Sequence, residues 1–238
     1  QLKAKFAFEQ AAVVCPVSDD LRAHIERLGI KARFQVIPNV VETSLFFPIV
    51  GRVAREGGRK RLLVVALLDP KKGIPYLLDA LARLRERRDD FLLDIVGDGP
   101  NRSGYEGLAS KLGLRDIACF HGLKTKQEVV EFMRRCDVFV LPSLFETFGV
   151  VLIEALACGK PVIATNIGGP NEIVTDEVGC LVPPGDTEAL AEAIDYILDN
   201  FEKYNPASIA RYAREHYSYQ AVGVELDRVY KSAQGRMR

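Results

Sequence analysis

The sequence predicts an α/β fold built on a doubly wound parallel sheet, and three observations support this prediction. Short segments rich in Val, Ile and Leu alternate with segments of helical periodicity, which is the order of a parallel sheet with crossover helices. Several of the short segments are almost continuously apolar, as is typical of strands buried on both faces. The chain of 238 residues is 48% hydrophobic, so it can fill the core of one large domain, or of one domain and a fragment.

The individual elements follow from these patterns in chain order. Strands are predicted at residues 12–16, 34–38, 61–68, 91–97, 117–121, 138–142, 161–165 and 180–182. Helices are predicted at residues 76–88, 105–113, 127–136, 150–158 and 187–198, and residues 208–238 are predicted to be helical throughout. In the first of these helices the leucines share one face, with Arg and Glu opposite.

The domain organisation is predicted from a polar, Gly-rich segment at residues 50–61, which has the composition of a linker. A new series of strands and helices begins directly after it. We therefore expect residues 1–48 to be the tail of a truncated preceding domain together with the segment that joins the two domains. Residues 49–205 are expected to form the α/β domain, and residues 206–238 to form helices that pack back on the preceding domain.

The composition argues against several classes of function. The 32 Lys and Arg residues balance the 32 Asp and Glu residues, so no overall charge favours nucleic acid or an anionic membrane. The longest aliphatic run, residues 62–68, is too short to span a bilayer. The five cysteines and three histidines lack metal-ligand spacing, so we predict no metal and no other cofactor. The cysteines are predicted to be buried and reduced, in a cytoplasmic protein.

The first candidate site lies where the third predicted strand ends, in the stretch Leu-Asp-Pro-Lys-Lys-Gly at residues 68–73. Lys71 and Lys72 stand between a buried strand and a helix N-terminus, and an ammonium group beside a positive helix end favours phosphate. Taken alone, however, the two lysines are better explained as solvated turn residues. The glycine-bracketed turn at Gly97 permits close approach of a ligand, but alone it is better explained as an ordinary turn between strand and helix.

The strongest candidate site follows the strand at residues 138–142, where a loop carries Glu146 and an apolar helix carries Glu154. We predict that Thr147 is the N-cap of this helix. The free amides of residues 148–150 at such a helix start suit a diphosphate. Glu154 needs a hydrogen-bond partner among its apolar neighbours, and two vicinal ribose hydroxyls would supply one. The alternatives are a partly exposed Glu at the helix edge, or a Glu paired with a core Lys.

In this order, these stretches resemble the retaining GT-B glycosyltransferases of group one, also called family four. The resemblance is carried by Lys72-Gly73, by the G-x-G turn at Gly97 and by the run at residues 142–164, which contains both glutamates. Residues 36–41 and the turns at residues 168–174 and 179–186 are also similar. The resemblance covers nearly the whole chain. It implies a Rossmann-like C-terminal domain that binds the nucleotide-sugar donor, with a remnant of the N-terminal domain.

The resemblance also implies a role for each site residue. Lys72, which binds donor phosphate, and Glu146, beside the donor sugar, are the implied catalytic residues, and Glu154 holds the ribose. The other implied donor contacts are Lys71 and Gly73 near the phosphates, Gly97 and Leu123 at the base, Thr147, and the amides of Phe148, Gly149 and Val150. Two positions depart from the pattern. The more serious is Leu67, which stands where the family has an Arg that grips the diphosphate, and the milder is Val40, which stands in place of a glycine.

By this resemblance we expect metal-independent transfer of a hexosyl group from a UDP-, GDP- or ADP-sugar to an acceptor hydroxyl, with retention of configuration. The acceptor is expected to be a carbohydrate or a lipid-linked molecule that binds the N-terminal domain, so this chain alone is expected to be inactive. Peripheral membrane contact is compatible with the whole protein. The alternative is a non-catalytic module that binds nucleotide sugars or carbohydrates, which Leu67 favours. An NAD-binding domain is excluded, because no G-x-G-x-x-G with a downstream acidic partner occurs.

Overall fold

The computed structural model describes residues 2–49 and 58–234. Its centre is a six-stranded, all-parallel sheet in the order β3-β2-β1-β4-β5-β6. The strands are β1 Lys60–Val65, β2 Phe91–Val96, β3 Ala118–Gly122, β4 Val138–Leu141, β5 Val162–Thr165 and β6 Gly179–Val182. The predicted doubly wound sheet is therefore confirmed.

The described part of the chain contains ten α-helices. They are α1 Leu2–Gln10, α2 Asp19–Arg27, α3 Ile74–Arg85, α4 Arg102–Lys111, α5 Lys126–Arg135, α6 Val150–Ala157, α7 Pro170–Ile173, α8 Thr187–Asp199, α9 Pro206–Tyr217 and α10 Tyr219–Gln234. Two 3₁₀ helices, Pro70–Lys72 and Phe201–Lys203, join them. No helix in residues 2–49 or 58–234 is both long and apolar enough to cross a membrane.

The strand order fixes where the loops that follow the strands meet. The chain runs outward from β1 to β3 and then returns to β4, next to β1, before running outward again to β6. Right-handed crossovers in these two directions place their helices on opposite faces of the sheet. In agreement, α3 packs against α4 and α8, whereas α6 packs against α5, α7 and α9. The carboxyl ends of β1 and β4 therefore form the switch point at which α/β sheets bind ligands.

Two predicted strands are wrong. Residues 12–16 and 34–38 lie side by side, but they form only one isolated parallel bridge, between Val14 and Phe34. The amide of Ile37 donates to the carbonyl of Pro16 at 3.0 Å, but Pro16 itself has no amide hydrogen to continue the ladder. The strand predicted at residues 61–68 also ends early, at Val65, although the amides of Ala66 and Leu68 still donate to the carbonyls of Val96 and Asp98 at 3.0 and 2.9 Å.

The C-terminal segment is not helical throughout. It divides at Ser218, whose extended backbone (φ −70°, ψ 158°) ends α9. The Ser218 hydroxyl then accepts a hydrogen bond from the amide of Ala221, so Ser218 also caps the start of α10. At the same point Val41 forms a parallel bridge with Ser218, which joins the N-terminal segment to the C-terminal helices.

Two further predictions need comment. Of the predicted linker at residues 50–61, residues 50–57 lie outside the described residues, while Lys60 and Arg61 belong to β1. The cysteines are all free, as predicted, but they are not all buried. Cys136 and Cys158 lie in the core, whereas Cys15 and Cys119 are exposed. Cys119 is exposed because β3 is an edge strand, a position that an apolar flank in the sequence does not reveal.

Candidate functional site

Two loops at the switch point, one after β1 and one after β4, are joined directly to each other. After β1, the Asp69 carboxylate caps a 3₁₀ turn by accepting from the amide of Lys71 at 2.8 Å. The carbonyl of Lys71 then accepts a hydrogen bond of 2.7 Å from the amide of Leu144, in the loop after β4. The two loops therefore form one rigid edge across the sheet.

The side chains of Lys72 and Glu146 meet across this edge. Their Nζ and Oε2 atoms lie 2.7 Å apart, and the two side chains are 25% and 13% exposed. The other oxygen of Glu146 accepts from the amide of Thr147 at 3.1 Å. Because both hydrogen bonds hold the same carboxylate, Glu146 keeps the ammonium group of Lys72 at the switch point. Lys71 points elsewhere, with its Nζ 5.7 Å from the centroid of the Phe145 ring.

Two of the three predicted donor-binding glycines, Gly73 and Gly97, lie against protein backbone. Gly73 is left-handed (φ 64°), and a Cβ atom there would overlap the carbonyl oxygen of Pro142. Gly97 (φ 130°) approaches the carbonyl of Ala66 equally closely. At Gly97 the absence of a side chain therefore makes room for the backbone of Ala66, and not for a ligand as the sequence predicted.

The loop after β5 meets the loop that carries Glu146 in the same way. Gly168 lies against the carbonyl of Glu146, and Gly169 lies against the backbone of Phe148. A side chain at either glycine would push the Glu146 loop out of place. The three loops at this edge are thus packed backbone to backbone.

The start of α6 differs from the prediction, because Thr147 is not its N-cap. Gly149 holds that position, with a left-handed backbone (φ 90°, ψ 57°), and its carbonyl accepts from the amide of Leu152 at 2.8 Å. The turn at Gly149 leaves Thr147 outside the helix, where its carbonyl accepts from the hydroxyl of Ser18 at 2.9 Å.

The donors that the prediction needs are nevertheless present at this helix start. Within residues 2–49 and 58–234, the amides of Phe148, Gly149 and Val150 form no hydrogen bond. Phe148 is buried as a side chain and Val150 is partly exposed. Three unpaired N–H groups beside the Lys72–Glu146 pair can donate hydrogen bonds to an anion or to a polar group with lone pairs.

Glu154 lies one turn inside α6 and is partly buried between Ile153 and Ala155, which are fully buried. Burial raises the pKa of its carboxyl group to about 7, and the nearby ammonium group of Lys126 partly opposes this. Its carboxylate has no hydrogen-bond or ion-pair partner in the described part of the chain. This excludes the alternative of a Glu paired with a core Lys, and it leaves the carboxylate available to a ligand.

Gly97 and Leu123 lie on the other side of β1, after β2 and β3. The amide of Gly97 donates to the carbonyl of Gly122 at 2.9 Å, which joins the ends of these two strands. The side chain of Leu123 is 81% exposed, so it offers an uncovered apolar surface. The structure therefore brings Lys72 and Glu146 into contact, and it sets Leu123 and Gly97 apart from them along the same edge.

The sequence reasoning missed two residues that hold this site in place. Glu172, on α7, accepts from the amides of Asp19 and Asp20 at 3.1 Å each, and so caps α2 across the molecule. Ser18 caps the same helix and also donates to Thr147. A serine followed by two aspartates is a helix-start pattern, so α2 could have been found. Its contact with Glu172 spans more than 150 residues and has no local signal.

Comparison with known proteins gives one family. The model of the family described as glycosyl transferases group 1 matches residues 49–216. A phosphatidyl-myo-inositol mannosyltransferase of Mycobacterium leprae is 38% identical over 170 residues, which are 69% of this chain and 44% of that protein. An MMP alpha-(1->4)-mannosyltransferase of Mycolicibacterium hassiacum is 33% identical over 210 residues, which are 86% of this chain and 50% of that protein.

Solved structures show the same fold. Sucrose-phosphate synthase from Thermosynechococcus elongatus superposes with a TM-score of 0.88 at 28% identity, over 99% of this chain and 61% of that one. Anabaena HepE, solved in complex with UDP and glucose, superposes with a TM-score of 0.83 at 24% identity, over 97% of this chain and 66% of that one. The chain spans about half the length of the curated relatives it matches.

Proposed function

The chain belongs to the group 1 glycosyl transferases, and from this membership we propose that its carboxyl-edge site binds a nucleoside-diphosphate sugar for transfer to an acceptor hydroxyl. The observation that carries the proposal is the Lys72–Glu146 pair at 2.7 Å, beside three unpaired amides at the start of α6. An ammonium group and free N–H groups together suit a diphosphate. The same groups would stabilise the negative charge that develops as the diphosphate leaves the sugar.

The strand order supports an extended binding mode. The proposed contacts follow β3, β2, β1 and β4 in turn, at Leu123, Gly97, Lys72 and Glu146. Because neighbouring strands lie about 4.8 Å apart, this row is on the order of 14 Å long. A nucleotide sugar with its base at Leu123 and its sugar at Glu146 has a matching shape. Glu154 would accept hydrogen bonds from the ribose hydroxyls, which explains an unpaired carboxylate in an apolar helix.

The division of the chain into an acceptor-binding and a donor-binding part is also a proposal. Residues 1–48 and 206–238 are proposed to belong with an N-terminal, acceptor-binding domain, and residues 49–205 to form the donor-binding domain. The bridge between Val41 and Ser218 supports this grouping, because it joins the two terminal segments to each other. We propose that a carbohydrate or lipid-linked acceptor binds the N-terminal domain. Transfer is proposed to proceed with retention of configuration and without a metal. This chain alone is proposed to bind the donor but to transfer no sugar. A cytoplasmic location is supported by five free cysteines.

Thermal unfolding with and without UDP, GDP, ADP and their sugars tests donor binding. A ligand at 100 times its Kd stabilises the folded chain by about 2.7 kcal/mol, which is a readily measured shift in melting temperature. We expect one nucleotide to give such a shift, and Lys72→Ala and Glu154→Ala each to abolish it. Lys231→Ala, which removes an exposed ion pair on α10, is the control and should leave the shift unchanged. If both site variants bind nucleotide as tightly as the parent chain, the proposed donor site is wrong.

A second candidate function is a non-catalytic nucleotide-sugar or carbohydrate-binding module. Leu67 favours it, because an exposed leucine at the end of β1 supplies no charge to a diphosphate. A transfer assay on the whole protein separates the two candidates. Sugar transfer that depends on Glu146 supports the enzyme, whereas nucleotide binding without transfer or donor hydrolysis supports the module.

A further inference from the structure

We propose that Cys119 is a nucleophilic thiol, activated by His121, that forms a mixed disulfide with small-molecule disulfides. This inference goes beyond the proposed function and does not depend on it. The observation that carries it is a row of three side chains on β2 and β3, in which Cys119 contacts His121 and His121 contacts Asp94. A nucleophile, a base and a group that orients the base form the arrangement that activates a thiol.

The parallel register of the two strands brings these side chains together. Cys119 and His121 are two residues apart on β3, so their side chains lie on the same face of the sheet, and Asp94 is the register partner of Cys119 on β2. The Cys119 Sγ atom lies 3.9 Å from Nδ1 of His121, and Nε2 of His121 lies 2.7 Å from Oδ1 of Asp94. Cys119 is exposed and Asp94 is buried, so the row runs from a sulfur at the surface to a carboxylate in the interior.

The carboxylate of Asp94 determines which nitrogen of a neutral His121 can take a proton. Because a carboxylate accepts hydrogen bonds, Nε2 carries the hydrogen and donates to Asp94, which leaves the lone pair of Nδ1 facing Cys119. The other oxygen of Asp94 lies 3.1 Å from a guanidinium nitrogen of Arg61. The ring of Phe132, on α5, packs on the His121 ring with centroids 4.6 Å apart. His121 is therefore held as a base toward the sulfur.

The thiol needs this base because its surroundings do not ionise it. Burial raises the pKa of Cys119, the charge of Asp94 adds to the rise, and Arg61 opposes it. The thiol is therefore protonated at neutral pH, and proton transfer to His121 is the route to the thiolate, which is the species that attacks. A thiolate formed from a thiol of raised pKa is also the stronger nucleophile.

Three further charged side chains lie near this row on or beside α5. They stand one turn before Phe132, one turn after it and directly after the helix, and they are Glu128, Arg135 and Asp137. Within residues 2–49 and 58–234, none of the three forms a hydrogen bond or ion pair with Cys119 or His121. His121 is thus the base that contacts the sulfur.

A metal site is the alternative explanation of a Cys, a His and an Asp in contact. Here the sulfur and the carboxylate contact different nitrogens of one imidazole ring, so they do not converge on one ion. No group of three His, Cys, Asp or Glu side chains in the described part of the chain could hold a metal ion. The contacts therefore favour proton transfer along the row.

The reaction is a thiol–disulfide exchange in which the small disulfide is the oxidant. His121 takes the proton of the Cys119 thiol, and the thiolate sulfur forms a bond with one sulfur of the disulfide. The S–S bond of the disulfide breaks, and the departing thiolate takes the proton from His121 and leaves as a thiol. Cys119 is thereby oxidised to a mixed disulfide, and one half of the reagent is reduced.

The rates at which individual cysteines react with hydroxyethyl disulfide, a small neutral disulfide, test the proposal. Samples are quenched with acid at intervals, and peptide mass spectrometry gives the amount of mixed disulfide at each cysteine. Cys15 is the internal control, since it is exposed like Cys119 but its thiol forms no hydrogen bond within the described residues. At pH 7 we expect Cys119 to react at least about ten-fold faster than Cys15, because it has a base.

The pH dependence and one substitution identify the base. Burial also raises the pKa of Cys15, so between pH 7 and pH 9 its rate should rise about ten-fold per pH unit with the thiolate fraction. The rate of Cys119 should rise less steeply, because His121 takes the proton. His121→Phe keeps a ring against Phe132 but removes the base, so Cys119 should then react as slowly and as steeply with pH as Cys15. His24→Phe, at an exposed position on α2, is the matched control and should leave both rates unchanged.

Two results would overturn the proposal. The first is a parent chain in which Cys119 reacts no faster than Cys15 at pH 7, a comparison that needs no substitution. The second is a His121→Phe variant, shown by circular dichroism to be folded, in which Cys119 keeps the parent rate. If that variant does not fold, the rates and pH slopes of the two cysteines in the parent chain still decide the question.

Discussion

At the scale of single residues, Leu67 stands where the resemblance to the group 1 glycosyltransferases implies an Arg. It follows β1 at the edge of the proposed diphosphate site, and it is 57% exposed, so it contributes little to the core. A longer polar side chain can replace it without leaving a cavity. The position is therefore open to a test by gain of function.

We expect Leu67→Arg to tighten nucleotide binding about 10-fold or more. A hydrogen bond to a charged group contributes roughly 1.5–3 kcal/mol, and about 1.4 kcal/mol corresponds to a factor of ten. Isothermal titration calorimetry against the best nucleotide measures the change. Leu28→Arg, at an equally exposed position after α2, is the control and should bind like the parent. Unchanged binding in both variants would show that Leu67 does not face the diphosphate.

At the scale of residues, the sequence predicted which side chains belong to the site better than it predicted how they are arranged. The meeting of Lys72 and Glu146 could be anticipated, because both follow strands that end at the same edge. The cap at Gly149 could not, since a left-handed glycine and a preceding threonine are both common at helix starts. The absence of a partner for Glu154 within the described residues could not be anticipated either, because the tertiary structure sets which side chains come near it.

At the scale of elements, two glycines illustrate opposite roles. Gly73 is left-handed and lies against the carbonyl of Pro142, whereas Gly107 lies in the middle of α4 with open space around its Cβ position. Gly73 is required, because any side chain there would separate the two loops. Gly107 only weakens α4, because glycine has a low helix propensity.

We expect Gly107→Ala to raise the free energy of unfolding by up to about 1 kcal/mol. Gly73→Ala should lower it by more than about 2 kcal/mol, because left-handed strain and the overlap with Pro142 add together. Urea denaturation measures both changes. Gly73→Ala should also reduce nucleotide binding, since it displaces Lys72, whereas Gly107→Ala should not. Equal stability of the two variants would contradict the assigned loop contact.

The central strands and the helices between them were predictable, because continuous apolar runs and leucine periodicity are strong local signals. The two N-terminal strands were not, since apolar runs at residues 12–16 and 34–38 form only one bridge. The break at Ser218 was missed because helical periodicity continues on both sides of it. Such breaks are set by what the chain packs against, here the segment at Val41.

At the scale of the whole molecule, the contact between α2 and α7 joins the N-terminal segment to the site. The Glu172 carboxylate accepts from two amides at the start of α2, and the Ser18 hydroxyl donates to Thr147, next to Glu146. Two distant parts of the chain are therefore held in register at the loop that carries Glu146, one residue of the proposed catalytic pair.

We expect Glu172→Ala to release the start of α2. Hydrogen exchange at the amides of Asp19 and Asp20 should become faster, while exchange in β1 and β4 stays slow. The loss of these bonds should cost about 1 kcal/mol of stability. Glu188→Ala, which removes an exposed ion pair with Arg83, should leave α2 unchanged. Protection of α2 that survives in Glu172→Ala would show that other contacts hold the segment.

The loops at the carboxyl edge touch through glycines with no room for a methyl group between them. Their backbone is thus already arranged before any nucleotide arrives, and the loss of conformational entropy falls on folding rather than on association. Such a preorganised frame can accept changes in the side chains that it carries without being rebuilt. Divergence in sugar preference among proteins with this frame would then need only a few surface substitutions, while the glycines themselves could hardly vary.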